Sequence, residues 1–179
     1  MENETNRLIS DLLKQKRAAQ ERLLALYGKM VFRLVARIVP QREDAEEVYQ
    51  DVFVKAFRSI GTYDERQASL ATWLGRIAYH EALNFVRRKA PALVYLDEHP
   101  KDLEDCDEDT DMQHDEHAIQ RMEQALKHLQ PHEQSLLTMF YFDHLSLKEI
   151  AYITDSIPTT VGSQLSRIRK KLYRIMQKL

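Results

Sequence analysis

Side chains that bind nucleic acids recur at a regular spacing in the stretch "LATWLGRIAYHEALNFVRRK". Arg76, His80, Asn84 and Arg88 lie four residues apart, so in a helix they share one face. Arginine binds phosphate, and asparagine pairs with the edges of bases. Arg87 adds a further positive charge. We therefore predict that this face binds nucleic acid.

Two aromatic residues lie near this face. Tyr63 belongs to the polar loop "TYDERQAS" just before the stretch, and Trp73 lies near the start of the stretch itself. Aromatic groups beside basic groups suit single-stranded DNA, because unstacked bases present free faces. The alternative is that these aromatic side chains are buried in the core. We expect a core position for Phe85 and leave both interpretations open for Trp73.

A second candidate site lies in "LSLKEIAYITDSIPTTVGSQLSRIRKKL", which has the pattern of a helix-turn-helix. In the second helix, apolar residues from Val161 to Ile175 recur on one face. The opposite face carries hydroxyl, amide and basic side chains: Thr160, Ser163, Gln164, Arg167, Lys170, Lys171 and Arg174. Such a face can enter the major groove of DNA. A helical hairpin with a solvated basic face is the alternative.

A third candidate surface lies in "DAEEVYQDVFVKAFRSI". Asp44, Glu47 and Asp51 fall at i, i+3 and i+7 and form an acidic stripe. We expect Phe53 to be exposed near this stripe, so that the surface could dock on a basic partner helix. An ordinary solvated helix face is the alternative interpretation.

Helices must position all three surfaces. Only four glycines and five prolines occur in 179 residues, and alternating β-branched runs are absent, so we predict an all-α protein. The predicted helices cover approximately residues 5–16, 18–39, 44–60, 70–88, 117–129, 131–142, 146–154 and 159–179.

Charge divides the chain into three parts. Residues 1–96 carry 16 basic and 12 acidic residues, and residues 117–179 carry nine and five, so each part has a net charge of +4. Residues 97–116 carry one lysine and 11 acidic residues. Like charges keep such a segment extended and solvated. We predict two small helical domains, 1–90 and 117–179, joined by an acidic flexible linker at 91–116, with the helix-turn-helix in the second.

Several classes of function are disfavoured. Cys106 is the single cysteine, so no intrachain disulfide is possible. No stretch of about 18 apolar residues occurs, so we expect a cytoplasmic protein without direct membrane insertion. The sequence has no phosphate-cradling glycine loop and no nucleophile elbow, and His132-Glu133 lacks the second histidine of a metalloprotease motif.

A metal site is also disfavoured. Cys106, His114 and His117 lie among carboxylates, and the two histidines have ligand-like spacing. Metal ligation needs fixed geometry, which a charged linker does not supply. We therefore expect no metal, no cofactor and no catalytic residue.

The sequence resembles a bacterial sigma factor of the extracytoplasmic-function (ECF) type. "REDAEEVYQDVFVKAFRSIGTYDERQASLATWLGRIAYHEALNFVRRK" is similar to region 2 of that family, and "LQPHEQSLLTMFYFDHLSLKEIAYITDSIPTTVGSQLSRIRKKL" is similar to region 4. Apart from the linker, the resemblance covers most of the chain from about Leu23. It implies a protein that is not an enzyme, joins core RNA polymerase and directs it to promoters.

The resemblance also implies roles for individual residues. The docking helix on core polymerase would use Asp44, Glu47, Gln50, Asp51 and Phe53, against a basic coiled coil of the largest subunit. Reading and melting of the −10 element would use the loop 62–69 and the following helix, with Tyr63, Trp73, Arg76, His80, Asn84, Arg87 and Arg88. Reading of the duplex −35 element would use Thr160, Ser163, Gln164, Arg167 and Lys171.

Two departures from the family pattern affect the −35 reader. Gly162 and Gln164 stand where the family usually has a basic residue, and the turn "TDSIPT" lacks the usual glycine. The promoter sequence is therefore not predicted. The resemblance further implies an anti-sigma factor as a partner, commonly a membrane-bound one.

Two alternatives stay open. The acidic linker could occupy basic polymerase channels as a mimic of nucleic acid, or it could be a solubilising spacer. The whole chain could instead be a stand-alone helix-turn-helix regulator that binds duplex DNA as a dimer. That function would explain the C-terminal half but not the surfaces of the N-terminal half.

Overall fold

The computed structural model describes residues 2–89 and 116–179, with side chains from residue 4 and from residue 119. All regular elements in these two ranges are helical, which confirms the predicted all-α class. The α-helices are α1 (Glu2–Leu13), α2 (Arg17–Ile38), α3 (Arg42–Ser59), α4 (Leu70–Lys89), α5 (Glu116–Lys127), α6 (Pro131–Tyr141), α7 (Leu147–Ile153) and α8 (Pro158–Met176). A 3₁₀ turn, Ile60–Thr62, follows α3.

The helix boundaries agree closely with the prediction, and α1 shows the largest difference. It begins and ends three residues earlier than expected, at Glu2 and Leu13. Gln15 has a φ of 54°, a left-handed conformation that a continuous right-handed helix does not contain. The chain therefore breaks here and starts α2 at Arg17. The predicted acidic linker lies almost entirely outside the described residues.

The N-terminal domain forms around α4, which packs against both α2 and α3. Leu74, Ala78 and Ala82 of α4 are fully buried against these two helices. Ser69 caps this helix by accepting a hydrogen bond from the Thr72 backbone N–H at 3.1 Å. The core therefore fixes which side of α4 remains for other contacts.

The C-terminal domain contains the predicted helix-turn-helix in α7 and α8. Ser146 and Glu149 form a capping box at the start of α7, and Pro131 starts α6. The turn between α7 and α8 needs no glycine, because Asp155 adopts the left-handed conformation with a φ of 53°. Aspartate tolerates this conformation better than most residues do.

The two domains pack against each other, which the sequence did not predict. α7 packs on α4, and α6 packs on α2. The backbone of α4 comes close to α7 at Gly75, where a Cβ atom would lie 3.3 Å from Cδ1 of Ile153. The buried side chains of both domains form one continuous hydrophobic cluster.

Charged groups cross the same interface. Asp155 lies between Arg76 and His80 of α4, at 2.6 Å from the Arg76 Nη2 atom and 3.0 Å from the His80 Nε2 atom. Burial lowers the pKa of His80 below its ordinary value of 6.5; Asp155 opposes this shift, while Arg76 and Lys55 add to it. His80 is therefore neutral in the folded chain at pH 7.

Replacing Ser146 by alanine should lower the free energy of unfolding by about 1 kcal/mol, because the N-terminal cap of α7 is lost. Denaturant titration of the full chain measures this change. Ser10→Ala is the matched control, because Ser10 is exposed on α1. An equal loss in both variants would contradict the role of the capping box.

Acidification should destabilise the folded chain through His80. The pKa of His80 is lower in the folded chain than in the unfolded chain, so the unfolded chain binds more protons as pH falls through 6.5. The free energy of unfolding should therefore decrease from pH 7.5 to pH 5.5, and less so in His80→Gln. Denaturant titrations at both pH values test this, and an identical pH dependence in the two proteins would refute it.

Candidate nucleic-acid and polymerase interface

The acidic stripe on α3 is exposed, as predicted for a docking surface. Glu47, Gln50 and Asp51 are all exposed to solvent. Asp44 differs, because its carboxylate is mostly buried in an ion pair with Lys89 at the end of α4. Asp44 therefore ties α3 to α4 and contributes less to the open surface.

The prediction that Phe53 is exposed is wrong. Its side chain is only 3% exposed and packs against the rings of Tyr49 and Phe57. The apolar residue that borders the acidic stripe is Val54, which is 45% exposed. Val54 lies three residues after Asp51 and seven after Glu47, and this spacing in the sequence places it on the same helix face as the acidic stripe.

The loop 63–69 presents polar groups beside α4. Asp64 orders the loop, because its carboxylate accepts a hydrogen bond from the Arg66 backbone N–H at 3.0 Å. Glu65, Arg66 and Gln67 are exposed. This segment can therefore contact a ligand through several side chains.

The two aromatic residues of this region contact each other. The rings of Tyr63 and Trp73 meet edge to face with centroids 5.8 Å apart. Trp73 is only 5% exposed, so the core interpretation holds for this residue and it offers no free face for stacking. Tyr63 is half-buried, and burial raises the pKa of its hydroxyl, with the Glu65 charge adding to the shift.

The polar face of α4 is divided into two halves. Asn84, Arg87 and Arg88 are exposed and, with Glu81, line a shallow open depression. Arg76 and His80, one to three turns earlier, lie under the turn that holds Asp155. The structure thus leaves one half of the predicted nucleic-acid face fully accessible, whereas the Arg76 and His80 side chains of the other half are only partly exposed.

The polar face of α8 is accessible near its N-terminus. Thr160, Ser163 and Arg167 are exposed, and Gln164 is half-buried. The N-terminal part of a recognition helix is the part that reaches base edges in helix-turn-helix proteins. Three of these four side chains are therefore open to solvent, and their role in reading DNA stays a prediction.

Lys171 has a structural contact that the sequence analysis missed. Its Nζ atom lies 2.7 Å from the Glu133 carboxylate, which is 15% exposed. The same carboxylate accepts a hydrogen bond from the Gln130 backbone N–H in the cap of α6. Lys171 thus joins α8 to α6 and has less free charge for a phosphate.

Metal binding and membrane insertion find no support in the described residues. Within 2–89 and 116–179, no cluster of three potential metal ligands occurs. No helix in these ranges is both long and apolar enough to span a membrane. Cys106 and His114, and the side chain of His117, lie outside the described part of the chain.

Comparison with protein families matches both halves of the chain. The model of sigma-70 region 2 matches residues 23–91, and the model of sigma-70 region 4 matches residues 119–172. The first range includes α3 and α4, and the second includes α7 and most of α8. The surfaces described above therefore lie within the matched regions.

Curated relatives match over almost the whole chain. RNA polymerase sigma-H factor of Pseudomonas aeruginosa is 25% identical over 99% of this chain and 96% of its own length. The ECF RNA polymerase sigma factor SigW of Bacillus subtilis is 25% identical over 100% of both chains. The ECF RNA polymerase sigma-E factor of Escherichia coli is 27% identical over 96% of this chain and 94% of its own.

Two solved structures share the fold. CnrH, in complex with the cytosolic domain of CnrY, superposes with a TM-score of 0.65 at 18% identity, over 96% of both chains. The sigma factor RpoE, in complex with the anti-sigma factor NepR from Bartonella quintana, gives a TM-score of 0.61 at 18% identity, over 88% of this chain and 96% of that one. With regions 2 and 4 in this order on one chain, the protein belongs to the sigma-70 family and is a sigma factor of the ECF type that directs transcription initiation.

Proposed function

We propose that three surfaces divide the work of this sigma factor. The exposed stripe of α3 docks on core RNA polymerase, the face of α4 with the loop 63–69 binds the −10 element, and the N-terminal half of α8 reads the −35 element. The observation that carries this division is that the segments matching regions 2 and 4 each present an exposed polar helix face. Sigma factors in general are not enzymes, and we assign no catalytic residue.

The α3 surface suits a basic partner. Glu47, Gln50 and Asp51 surround the exposed Val54, so an apolar contact is bordered by acidic and amide groups. Interfaces of this kind bury an apolar centre inside a polar rim. We therefore assign polymerase docking to these four residues, with Asp44 and Phe53 holding the helix in place.

The α4 surface suits single-stranded DNA. Arg87 and Arg88 supply positive charge for phosphates. Asn84 lies on the helix between Arg76 and these two arginines, and its amide can pair with a base. Tyr63 remains half-exposed at the other end, whereas Trp73 supports it from the core. A base that leaves the duplex would meet the loop 63–69 first.

The α8 surface suits duplex DNA. Thr160 and Ser163 present hydroxyl groups, Gln164 presents an amide, and Arg167 adds an exposed positive charge. Hydroxyl and amide groups contact base edges or phosphates in the major groove. Gly162 between them leaves open space, since a Cβ atom there would meet only Leu147 at 3.8 Å.

An anti-sigma factor is the further partner that we propose. The support is similarity of fold to CnrH and RpoE, whose solved structures contain CnrY and the anti-sigma factor NepR. We place the protein in the cytoplasm, where RNA polymerase acts. The alternative of a stand-alone helix-turn-helix regulator gains no support, because the match to region 2 accounts for α2 to α4.

Reconstitution tests the proposed function as a whole. The full chain is added to core RNA polymerase, and promoter-dependent transcripts are measured on fragments of the host genome. Transcripts that start at defined sites only when the chain is present would support it. A chain that never associates with core polymerase would overturn it.

Asp51→Lys should weaken binding to core polymerase by at least about tenfold, because a positive charge would face a basic partner. The affinity can be measured by titrating labelled polymerase with the full chain. Glu21→Lys makes the same charge change on the exposed surface of α2 and should leave the affinity unchanged. Equal affinities for the two variants would contradict the docking assignment.

Arg167→Ala and Asn84→Ala should each reduce promoter-dependent initiation by about tenfold, since each removes a direct contact worth 1–3 kcal/mol. Lys127→Ala is the control for Arg167, because Lys127 is an exposed positive charge at the end of α5, outside the polar face of α8. Circular dichroism verifies that the variants remain folded. Full activity of both variants would refute the DNA-contact assignments.

A further inference from the structure

The open depression on α4 contains one charge of the wrong sign for a phosphate. Its lining residues are Glu81, Asn84, Arg87 and Arg88. The amide and the two guanidinium groups suit the DNA backbone, whereas the Glu81 carboxylate repels a phosphate group. The part of a nucleotide that a carboxylate can bind is the base, through an amino group that donates a hydrogen bond.

Glu81 shares one face of α4 with the residues proposed to bind DNA. Asn84 follows it by three residues and Arg88 by seven, and this spacing places the three side chains on the same side of the helix. Asn84 and Arg88 are exposed, and the Glu81 side chain is 19% exposed. A carboxylate, an amide and a guanidinium group therefore border the same open space.

Lys55 of α3 holds the Glu81 carboxylate in place. Its ammonium group donates a hydrogen bond to the Oε1 atom of Glu81, across the contact between α3 and α4. The Lys55 side chain is half-exposed, so this ion pair is not sealed in the core. The lysine reduces the repulsion between Glu81 and a nearby phosphate, and the hydrogen bond restricts the orientation of the carboxylate.

The ion pair leaves the Glu81 carboxylate able to accept further hydrogen bonds. An ionised carboxylate has about four acceptor sites and no donor. The ammonium group of Lys55 contacts the Oε1 atom, so acceptor capacity remains for a ligand in the depression. A base gains a hydrogen bond from Glu81 only if it presents a donor there.

The two pyrimidines of DNA differ at the group that such a carboxylate would meet. Cytosine carries the N4 amino group, which donates, whereas thymine carries the O4 atom at the same ring position, which accepts. Thymine would therefore place one acceptor against another. A site that binds a donor rejects an analogue that lacks it, because the acceptor of the site is left without a partner.

The other groups of the depression complete the match to cytosine. Asn84 has an amide NH2 group that can donate to the N3 or O2 acceptor of an unpaired cytosine. Arg87 and Arg88 supply positive charge for the phosphate of the same nucleotide or its neighbour. An acceptor from Glu81 beside a donor from Asn84 is thus the complement of the donor and acceptor on the cytosine edge.

We propose that Glu81 determines a base preference: the α4 depression binds an unpaired cytosine in preference to thymine, through a hydrogen bond from the cytosine amino group to the Glu81 carboxylate. The proposal rests on the proposed function, since it requires the α4 face to bind single-stranded DNA. The alternative is that Glu81 only ties α4 to α3 through Lys55. The two roles differ in their effect on base preference, because a tether does not distinguish one pyrimidine from the other.

Glu81→Gln is the variant that tests this role. Glutamine keeps the size of the side chain and is a good helix former, so α4 stays folded. Its amide offers both an acceptor and a donor, and it can therefore serve the amino group of cytosine or the O4 atom of thymine. The preference between the two pyrimidines should disappear although the side chain still fills the same space.

A second ion pair between the same helices provides the matched control. Asp44 of α3 pairs with Lys89 of α4, and the Asp44 side chain is also 19% exposed. Asp44 does not line the depression. Asp44→Asn and Glu81→Gln thus each neutralise one carboxylate of equal exposure in an α3–α4 ion pair, but only Glu81→Gln changes the depression.

The measurement is the affinity of the full chain for short single strands of deoxycytidine or of deoxythymidine, by fluorescence anisotropy at neutral pH. Both strands have the same length and charge, so contacts to phosphates cancel in the ratio of the two dissociation constants. The wild-type chain should bind the cytidine strand about tenfold more tightly, as expected for one hydrogen bond to a charged group. The ratio should fall to about one in Glu81→Gln and stay at the wild-type value in Asp44→Asn.

Three results would overturn the proposal: equal binding of both strands by the wild-type chain, an unchanged ratio in Glu81→Gln, and an equal loss of preference in Asp44→Asn. In each of these cases the chain still binds single strands, so the proposed role of α4 in DNA binding stands. A chain that binds neither strand would instead count against that role and against the base preference together. The two failures are therefore distinguishable.

Discussion

The structure depends on the burial of α4 from two directions. One side, with Leu74, Ala78 and Ala82, is enclosed by α2 and α3, and an adjacent side meets α7 at Gly75. A helix that is covered on two sides leaves a narrow polar strip for function. Asn84, Arg87 and Arg88 lie on that strip, so the packing of the core decides which polar side chains of α4 stay exposed for the proposed nucleic-acid contacts.

Local patterns allowed most of the fold to be predicted. The capping box at Ser146, the proline at position 131 and the apolar periodicity of α8 each fix a helix start or a buried face through neighbouring residues alone. The turn at Asp155 shows a limit of such rules. The turn lacks the glycine that the family usually has there, and the sequence analysis did not foresee that an aspartate in the left-handed conformation takes its place.

The functional surfaces were predicted less completely. Contacts between helices decide which side chains are buried or paired, and these contacts cannot be read from the local sequence. Phe53 and Val54 are adjacent apolar residues on α3, and only packing against Tyr49 and Phe57 shows that the first is buried. From the sequence alone, the Trp73 ring could either stack on a base or lie in the core. Lys171 and Asp44 looked free in the sequence because their partners, Glu133 and Lys89, are 38 and 45 residues away.

The ion pair between Asp155 and Arg76 of α4 has a consequence for the salt dependence of the DNA binding proposed for this helix. Added salt would screen the attraction between phosphates and the basic face of α4, and it would screen the attraction of the Asp155 carboxylate for the Arg76 guanidinium group as well. The first effect weakens DNA binding, whereas the second releases the surface that DNA needs. Because the two effects oppose each other, we expect the affinity for single strands under the proposed function to fall less steeply with ionic strength than the number of arginines implies.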